Sequence, residues 1–177
     1  YHEGGHAVVA SQLPHMDPVH RVSIVSRGLA LGFTEIPPAV DRYQQTKTQL
    51  TERVISLLGG RAAEELKFKE LTAGAASDLE QATFIARKMV VEFGMSDLGP
   101  ISLGMGKPVW FGSLSEQYNY SEAMAGKIDN EVKKILDASY ERAKGIISKN
   151  TANLDRVAQA LVERETLDEE EFKKLIR

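Results

Sequence analysis

The segment His2-Glu3-Gly4-Gly5-His6, an H-E-x-x-H pattern, constrains this chain more than any other stretch. Two histidines four residues apart on a helix lie one turn above each other on the same face. Their imidazole nitrogens can then grip one Zn²⁺ together. The intervening glutamate stands where a carboxylate can take a proton from a water the metal activates. The run Ala7-Val8-Val9-Ala10 buries the helix directly after the motif, which separates the pair from histidines on a polar surface helix. Gly4 and Gly5 each cost such a helix up to about 1 kcal/mol relative to alanine. Close approach of a substrate or a neighbouring element to that face would account for both. Pro14 ends the helix near residue 13.

A catalytic zinc needs at least three protein ligands and one open position. The motif supplies His2 and His6, and the rest of the chain must fold so as to bring a third. Val9 and Gln12 stand where an H-E-x-x-H-x-x-G-x-x-H extension would need Gly and His. His15 follows Pro14 and leaves the helical face, and His20 opens an extended segment, where it reads as a hydrogen-bonding residue. There is no cysteine, hence no thiolate ligand and no disulfide, which suits a reducing compartment. Carboxylates remain. Asp78 stands behind the small-residue loop Thr72-Ala73-Gly74-Ala75-Ala76-Ser77, which would let a metal site approach closely, although Asp is also favoured as a helix cap. The residues alone leave Asp78, Glu64, Glu65 and Glu80 as candidates.

Hydrophobic spacing predicts a mainly α chain with a small β-sheet near the N-terminus. His20–Val25 and Leu31–Ile36 read as short strands around Arg27-Gly28, and Pro37-Pro38 stops the second. A helix is expected over about 45–66, with Leu50, Val54, Leu57, Leu58 and Ala62 along one stripe and Gly59-Gly60 marking a kink or tight packing. Residues 67–77 read as a loop. Another helix is expected over about 78–93, with Leu79, Ala82, Ala86, Met89, Val90 and Phe93 inward and Gly94 at its C-terminal end. Residues 95–120, rich in Gly and Pro and holding the single tryptophan, read as an irregular loop in which Trp110-Phe111 plugs a local core. Ser121 caps a long helix to about Asn150, and two further helices follow over 153–164 and 167–176, the last with a capping box Thr166…Glu169. One peptidase domain over 1–177 is the expected organisation, with an active-site region over 1–94, the loop over 95–120 and a helical region over 121–177.

The net charge of −3 over 177 residues, with no basic stripe, argues against a nucleic-acid partner. No apolar run approaches the roughly 20 residues a membrane span needs. Gly104-Met105-Gly106-Lys107-Pro108 lacks P-loop spacing, so no nucleotide-binding residue is expected. The chain begins one residue before the first histidine, without a preceding helical turn, and reads as a piece of a longer polypeptide.

Several ordered motifs resemble one family. They are His2-Glu3-Gly4-Gly5-His6-Ala7-Val8-Val9, Val19-His20-Arg21-Val22-Ser23-Ile24, Arg27-Gly28-Leu29-Ala30-Leu31-Gly32-Phe33-Thr34, Leu58-Gly59-Gly60-Arg61-Ala62-Ala63-Glu64-Glu65 and Thr72 through Thr83. Gly94-Met95-Ser96 and Arg164-Glu165-Thr166-Leu167 follow them. Together they resemble the peptidase domain of the FtsH family, membrane-anchored ATP-dependent zinc metalloproteases. The resemblance implies Asp78 as third zinc ligand and Glu3 as general base. Gly4, Ala73 and Ser77 depart from the commoner residues of that family, but none of these removes a ligand or the base. Glu64 then becomes a candidate for orienting a zinc-bound imidazole.

The resemblance further implies an endopeptidase acting on unfolded or extended polypeptides, with one Zn²⁺ per chain. ATP and Mg²⁺ would belong to an ATPase module outside this chain, which also lacks the membrane segment. The full-length protein would be a homo-hexamer in quality control, at the inner membrane with the protease on the cytoplasmic side in bacteria, or in a mitochondrial or plastid membrane. Residues 31–35 are the candidate edge strand for an extended substrate, with Gly32, Phe33 and Thr34 as binding residues. Two other readings stand beside this one: a non-catalytic zinc-binding helical module that docks in a ring, and a purely structural helical domain.

Overall fold

The first helix is packed between four others because its small residues let them reach it. In the computed structural model, which describes residues 1–25, 32–38, 44–103 and 120–176, helix α1 spans His2–Ser11 and buries every residue from Gly4 to Ala10. Helix α2 (Lys47–Leu57) starts at a capping box in which Thr46 and Gln49 satisfy each other's backbone N–H groups. Helix α3 (Gly59–Phe68) follows at once. A Cβ on Gly5 would lie 2.5 Å from the Gly59 carbonyl oxygen, and one on Gly59 would lie 2.8 Å from that of Gly5. α1 and α3 therefore cross backbone to backbone, which only glycine on both sides permits.

The single helix expected over 45–66 is in fact two. Leu58, at φ −85° and ψ −2°, stays in the right-handed region but flattens the turn, and its N–H bonds to the Ser56 and Val54 carbonyls before α3 begins. Two consecutive glycines offer little propensity to hold a helix straight through this point, and the crossing with α1 uses both.

Thr72 accepts a hydrogen bond from the Gly74 N–H and opens a short 3₁₀ turn over Ala73–Ala75, where a loop was expected. Helix α4 (Ala76–Val91) continues from it, so Asp78 lies inside the first turn and does not cap the helix. Phe93 falls beyond the helix and is 48 % exposed, against the inward position expected for it. Gly94 takes the left-handed conformation (φ 59°) that ends the segment. Ser121 caps the long helix α5 (Glu122–Lys149) by accepting from the Met124 N–H, as its position predicts. Helix α6 (Thr151–Arg164) follows directly.

The chain then departs from expectation. Thr166–Asp168 is a strand, and the final helix begins only at Glu169, with its capping box at Asp168 and Glu171 in place of Thr166 and Glu169. In chain order the strands are β1 (Arg21–Ser23), β2 (Phe33–Glu35) and β3 (Thr166–Asp168), with α7 at Glu169–Leu175. The sheet order is β2-β1-β3, antiparallel throughout, with Val22 opposite both Thr34 and Leu167. β3 thus ties the C-terminal helices to the N-terminal part of the chain through β1. One core runs through both, joining Val8, Val9, Val22 and Val54 to Ile147, Leu154, Leu161, Leu167 and Phe172. A smaller cluster of Ala86, Val90, Leu103, Ile128 and Val132 fastens α4 to α5. The expected turn at Arg27-Gly28, Leu31, the Gly104–Pro108 segment and Trp110-Phe111 lie outside the described residues.

Candidate metal centre

Helical periodicity places His2 and His6 on one face of α1, and the α1–α3 crossing turns that face toward the start of α4. The Nε2 atoms of the two histidines lie 3.1 Å apart. Asp78 Oδ2 is 3.1 Å from His2 Nε2 and 3.3 Å from His6 Nε2. The three donor atoms form a nearly equilateral triangle. A tetrahedral ion with bonds of about 2.0–2.1 Å separates its ligands by roughly 3.3–3.4 Å. Among the described residues this is the one group of three potential ligands whose donor atoms all converge.

The far side of each imidazole supports the same chemistry. His6 Nδ1 lies 2.9 Å from the Ser56 carbonyl oxygen, and His2 Nδ1 lies 3.0 Å from Glu64 Oε1. A carbonyl can only accept, so the His6 proton sits on Nδ1 and the Nε2 lone pair points into the triangle. A carboxylate partner does the same for His2. Two imidazole lone pairs and a carboxylate oxygen, packed about 3 Å apart, form a donor set suited to zinc. Thr72 completes the outer ring by donating to Glu64, 3.3 Å from Oε1 and 3.2 Å from Oε2.

The local field favours a cation. Burial alone would push the Asp78 carboxyl up, yet when the imidazoles carry a proton on Nε2 as well, their hydrogen bonds to Asp78 overcome it and hold that group well below the usual carboxylate range. At His2 burial opposes the charged imidazolium. The bond to Asp78 and the charges of Glu3, Asp78 and Glu64 outweigh it, so its pKa is raised. A proton and a metal ion compete for the same Nε2 lone pairs.

Room for these imidazoles comes from Gly60. A Cβ there would stand 2.6 Å from His6 Nε2 and 2.7 Å from His2 Cε1. Glu3 projects from the same turn of α1 toward β2, where Thr34 Oγ1 donates to Glu3 Oε2 at 2.9 Å and lies 3.1 Å from the Glu3 carbonyl oxygen. Gly32 lies against the same side chain: its Cβ would be 2.9 Å from Glu3 Cγ and 3.0 Å from Oε1.

The model of "Peptidase family M41" matches residues 1–175. The chain belongs to this family. It is 53 % identical, over its whole length, to the ATP-dependent zinc metalloprotease FtsH of Pseudothermotoga lettingae, covering 29 % of that protein. Over 99 % of the chain it is 47 % identical to the proteins of the same name from Bacillus subtilis and Thermotoga maritima, covering 28 % and 30 % of them. The chain thus spans about three tenths of the length of these relatives.

Within this M41 domain the structure gathers His2, His6, Asp78 and Glu64, and sends the other candidates elsewhere. Glu65 faces α5 and accepts from the Tyr140 hydroxyl at 2.6 Å. That bond and burial push the Tyr140 phenol up to about 12, burial being the larger cause. Glu80 is exposed. His15 bonds through Nδ1 to the buried Glu52 at 2.9 Å, and the His20 N–H donates to the Glu35 carbonyl. Phe33 and Thr34 lie in β2, the outer strand of the sheet among the described residues, while Gly32, expected within the strand, stands just before it. The close approach at Gly32, however, is made by Glu3 and the Ser23 carbonyl oxygen of the chain itself.

Two contributors have no role assigned from the residues, and a third, Gly60, was expected only to mark a kink or tight packing. Ser56 acts through its backbone and leaves no side-chain signal. Thr72 lies in a motif whose only assigned ligand is Asp78. Gly60 was visible as half of a costly Gly-Gly pair inside a helix, and that cost is the signal.

Proposed function

We propose that this chain is the peptidase domain, over 1–177, of a zinc-dependent endopeptidase that hydrolyses unfolded or extended polypeptides. The observation that carries the reading is the convergence of His2 Nε2, His6 Nε2 and Asp78 Oδ2 on the helix face beside Glu3. His2, His6 and Asp78 would hold the ion, with Glu64 and the Ser56 carbonyl keeping both imidazoles in the ligating tautomer. Zinc held there would supply Lewis acidity, polarising a peptide carbonyl and lowering the pKa of a water toward about 7. Glu3 takes the proton released as that water attacks, then passes it to the leaving amine nitrogen. The amide bond breaks as the nitrogen gains its proton, and no covalent enzyme intermediate forms.

Substrate lies extended along β2, held by backbone hydrogen bonds that read no side chains. Gly32, Phe33 and Thr34 form that track. In the full-length protein an ATPase module binding ATP and Mg²⁺ feeds substrates to a homo-hexameric ring of these domains, anchored in a membrane by a further segment. Among the described residues no helix is long and apolar enough to cross a membrane. In a bacterium the ring lies on the cytoplasmic face of the inner membrane.

The test is cleavage of an unstructured fluorogenic peptide by the full-length protein, with its zinc content measured alongside, for wild type and Glu3→Gln. Near-stoichiometric zinc with cleavage lost in Glu3→Gln and in chelator-treated wild type supports the proposal. Wild-type cleavage by Glu3→Gln, or zinc-independent cleavage, overturns it.

A further inference from the structure

An H-E-x-x-H helix delivers its glutamate to the right neighbourhood without fixing the carboxylate. The terminal torsion of a glutamate is broad and roughly two-fold, so a base that must meet one water needs something to hold it. Here that something comes from the sheet. β2 crosses the exposed side of α1 with Thr34 turned toward the helix, and alternation sends Phe33 and Glu35 to the other face. The Thr34 hydroxyl is 2.9 Å from Glu3 Oε2, an ordinary O–H···O hydrogen-bond distance, and 3.1 Å from the Glu3 carbonyl oxygen. The hydroxyl has one proton to give, and the nearer, charged acceptor is the carboxylate oxygen, with the helix carbonyl alongside it. On the other flank Gly32 presents bare backbone, leaving space for Glu3 Cγ and Oε1 that any side chain would fill.

We infer that Thr34 is a positioning residue for Glu3, its hydroxyl fixing one carboxylate oxygen from the strand along which substrate lies. This rests on Glu3 being the base. Oε2 is engaged by the hydroxyl, and Oε1 is the oxygen that meets the water. Because Thr34 belongs to an outer strand, a peptide that pairs with β2 steadies the residue that aims the base, so a bound substrate and an oriented carboxylate come together. Burial contributes little at this point, since Thr34 is only partly covered; the hydroxyl is the feature that matters.

The experiment uses the full-length, zinc-loaded protein and an unstructured fluorogenic peptide, comparing Thr34→Val, Thr34→Ala and Thr34→Ser with wild type and Glu3→Gln. Valine keeps the shape and strand preference and removes the hydroxyl; serine keeps the hydroxyl. Thr34→Val is expected to lower kcat about 10- to 100-fold, the usual effect of removing an orienting partner. KM should stay within about threefold and zinc near one per chain, and Thr34→Ser should recover most of kcat. Should the valine protein not fold, Thr34→Ala gives the same reading against Thr34→Ser. Three results would each overturn the inference: wild-type kcat in the valine or alanine variant, a loss confined to KM, or equal impairment of the serine variant. If Glu3→Gln abolishes cleavage while Thr34→Val leaves it intact, only this inference fails. If Glu3→Gln itself cleaves normally, the functional reading beneath it fails.

Discussion

An alanine in place of Gly60 would put a methyl group against the imidazoles proposed to hold the metal. Its carbon would lie 2.6 Å from His6 Nε2, 2.7 Å from His2 Cε1 and 2.8 Å from His2 Nδ1. Relaxed contacts of this kind sit at about 3.5 Å, so the rings must retreat by roughly 0.7–0.9 Å or α3 must move. Helix α3 is pinned one residue earlier by the Gly5–Gly59 crossing, which has no slack. The rings are pinned by the Glu64 and Ser56 bonds at 3.0 and 2.9 Å. Metal–ligand distances tolerate only about ±0.2 Å, so two of three ligands are driven out of range. A loss of at least about 100-fold in zinc affinity is expected, about 2.8 kcal/mol at 1.4 kcal/mol per decade. Propensity has the opposite sign, because Gly→Ala inside a helix adds up to about 1 kcal/mol. Metal-free Gly60→Ala should therefore stay folded while losing zinc. Competition with a chromogenic chelator measures the first quantity, and circular dichroism of the metal-free protein checks the second. Zinc affinity within threefold of wild type would refute the reasoning.

Two further substitutions probe the elements around the site. Gly32→Ala would set a Cβ 2.8 Å from the Ser23 carbonyl oxygen and 2.9 Å from Glu3 Cγ. Peptide cleavage should fall at least about tenfold with zinc content near one per chain, and unchanged cleavage would show that Glu3 has room to spare. Leu167→Ala removes a fully buried side chain from β3. Urea unfolding should register a loss of about 2–5 kcal/mol; a loss below about 1 kcal/mol would mean that β3 is peripheral to the core.

How much of this was legible in the residues varies by element. α1 announced itself because ligand spacing and the Ala7–Ala10 run agree with one helical period. α5 did so through a capping serine followed by a long apolar stripe. The third ligand was a different matter: Asp78, Glu64, Glu65 and Glu80 are chemically alike, and only a fold brings one of them within 3.3 Å of both imidazoles. Family motifs singled out Asp78 where spacing did not. β3 was hidden because a three-residue strand carries no period of its own. Its pairing with β1 spans more than 140 positions, and Thr166…Glu169 imitates a cap that the structure builds two residues later. The break at Leu58 was half visible: the glycine pair marked an anomaly, but its cause lies in a helix some fifty residues upstream. The Ser56 carbonyl could not be seen at all, since every residue carries one.

The most direct measurement is anomalous scattering at the zinc edge from crystals of the zinc-loaded protein. One ion should appear per chain, about 2.0–2.2 Å from His2 Nε2, His6 Nε2 and an Asp78 carboxylate oxygen, with the Thr34–Glu3 hydrogen bond intact beside it. An ion completed by Glu64, Glu65 or Glu80 while Asp78 points away, or no ion between the two imidazoles, would contradict the account.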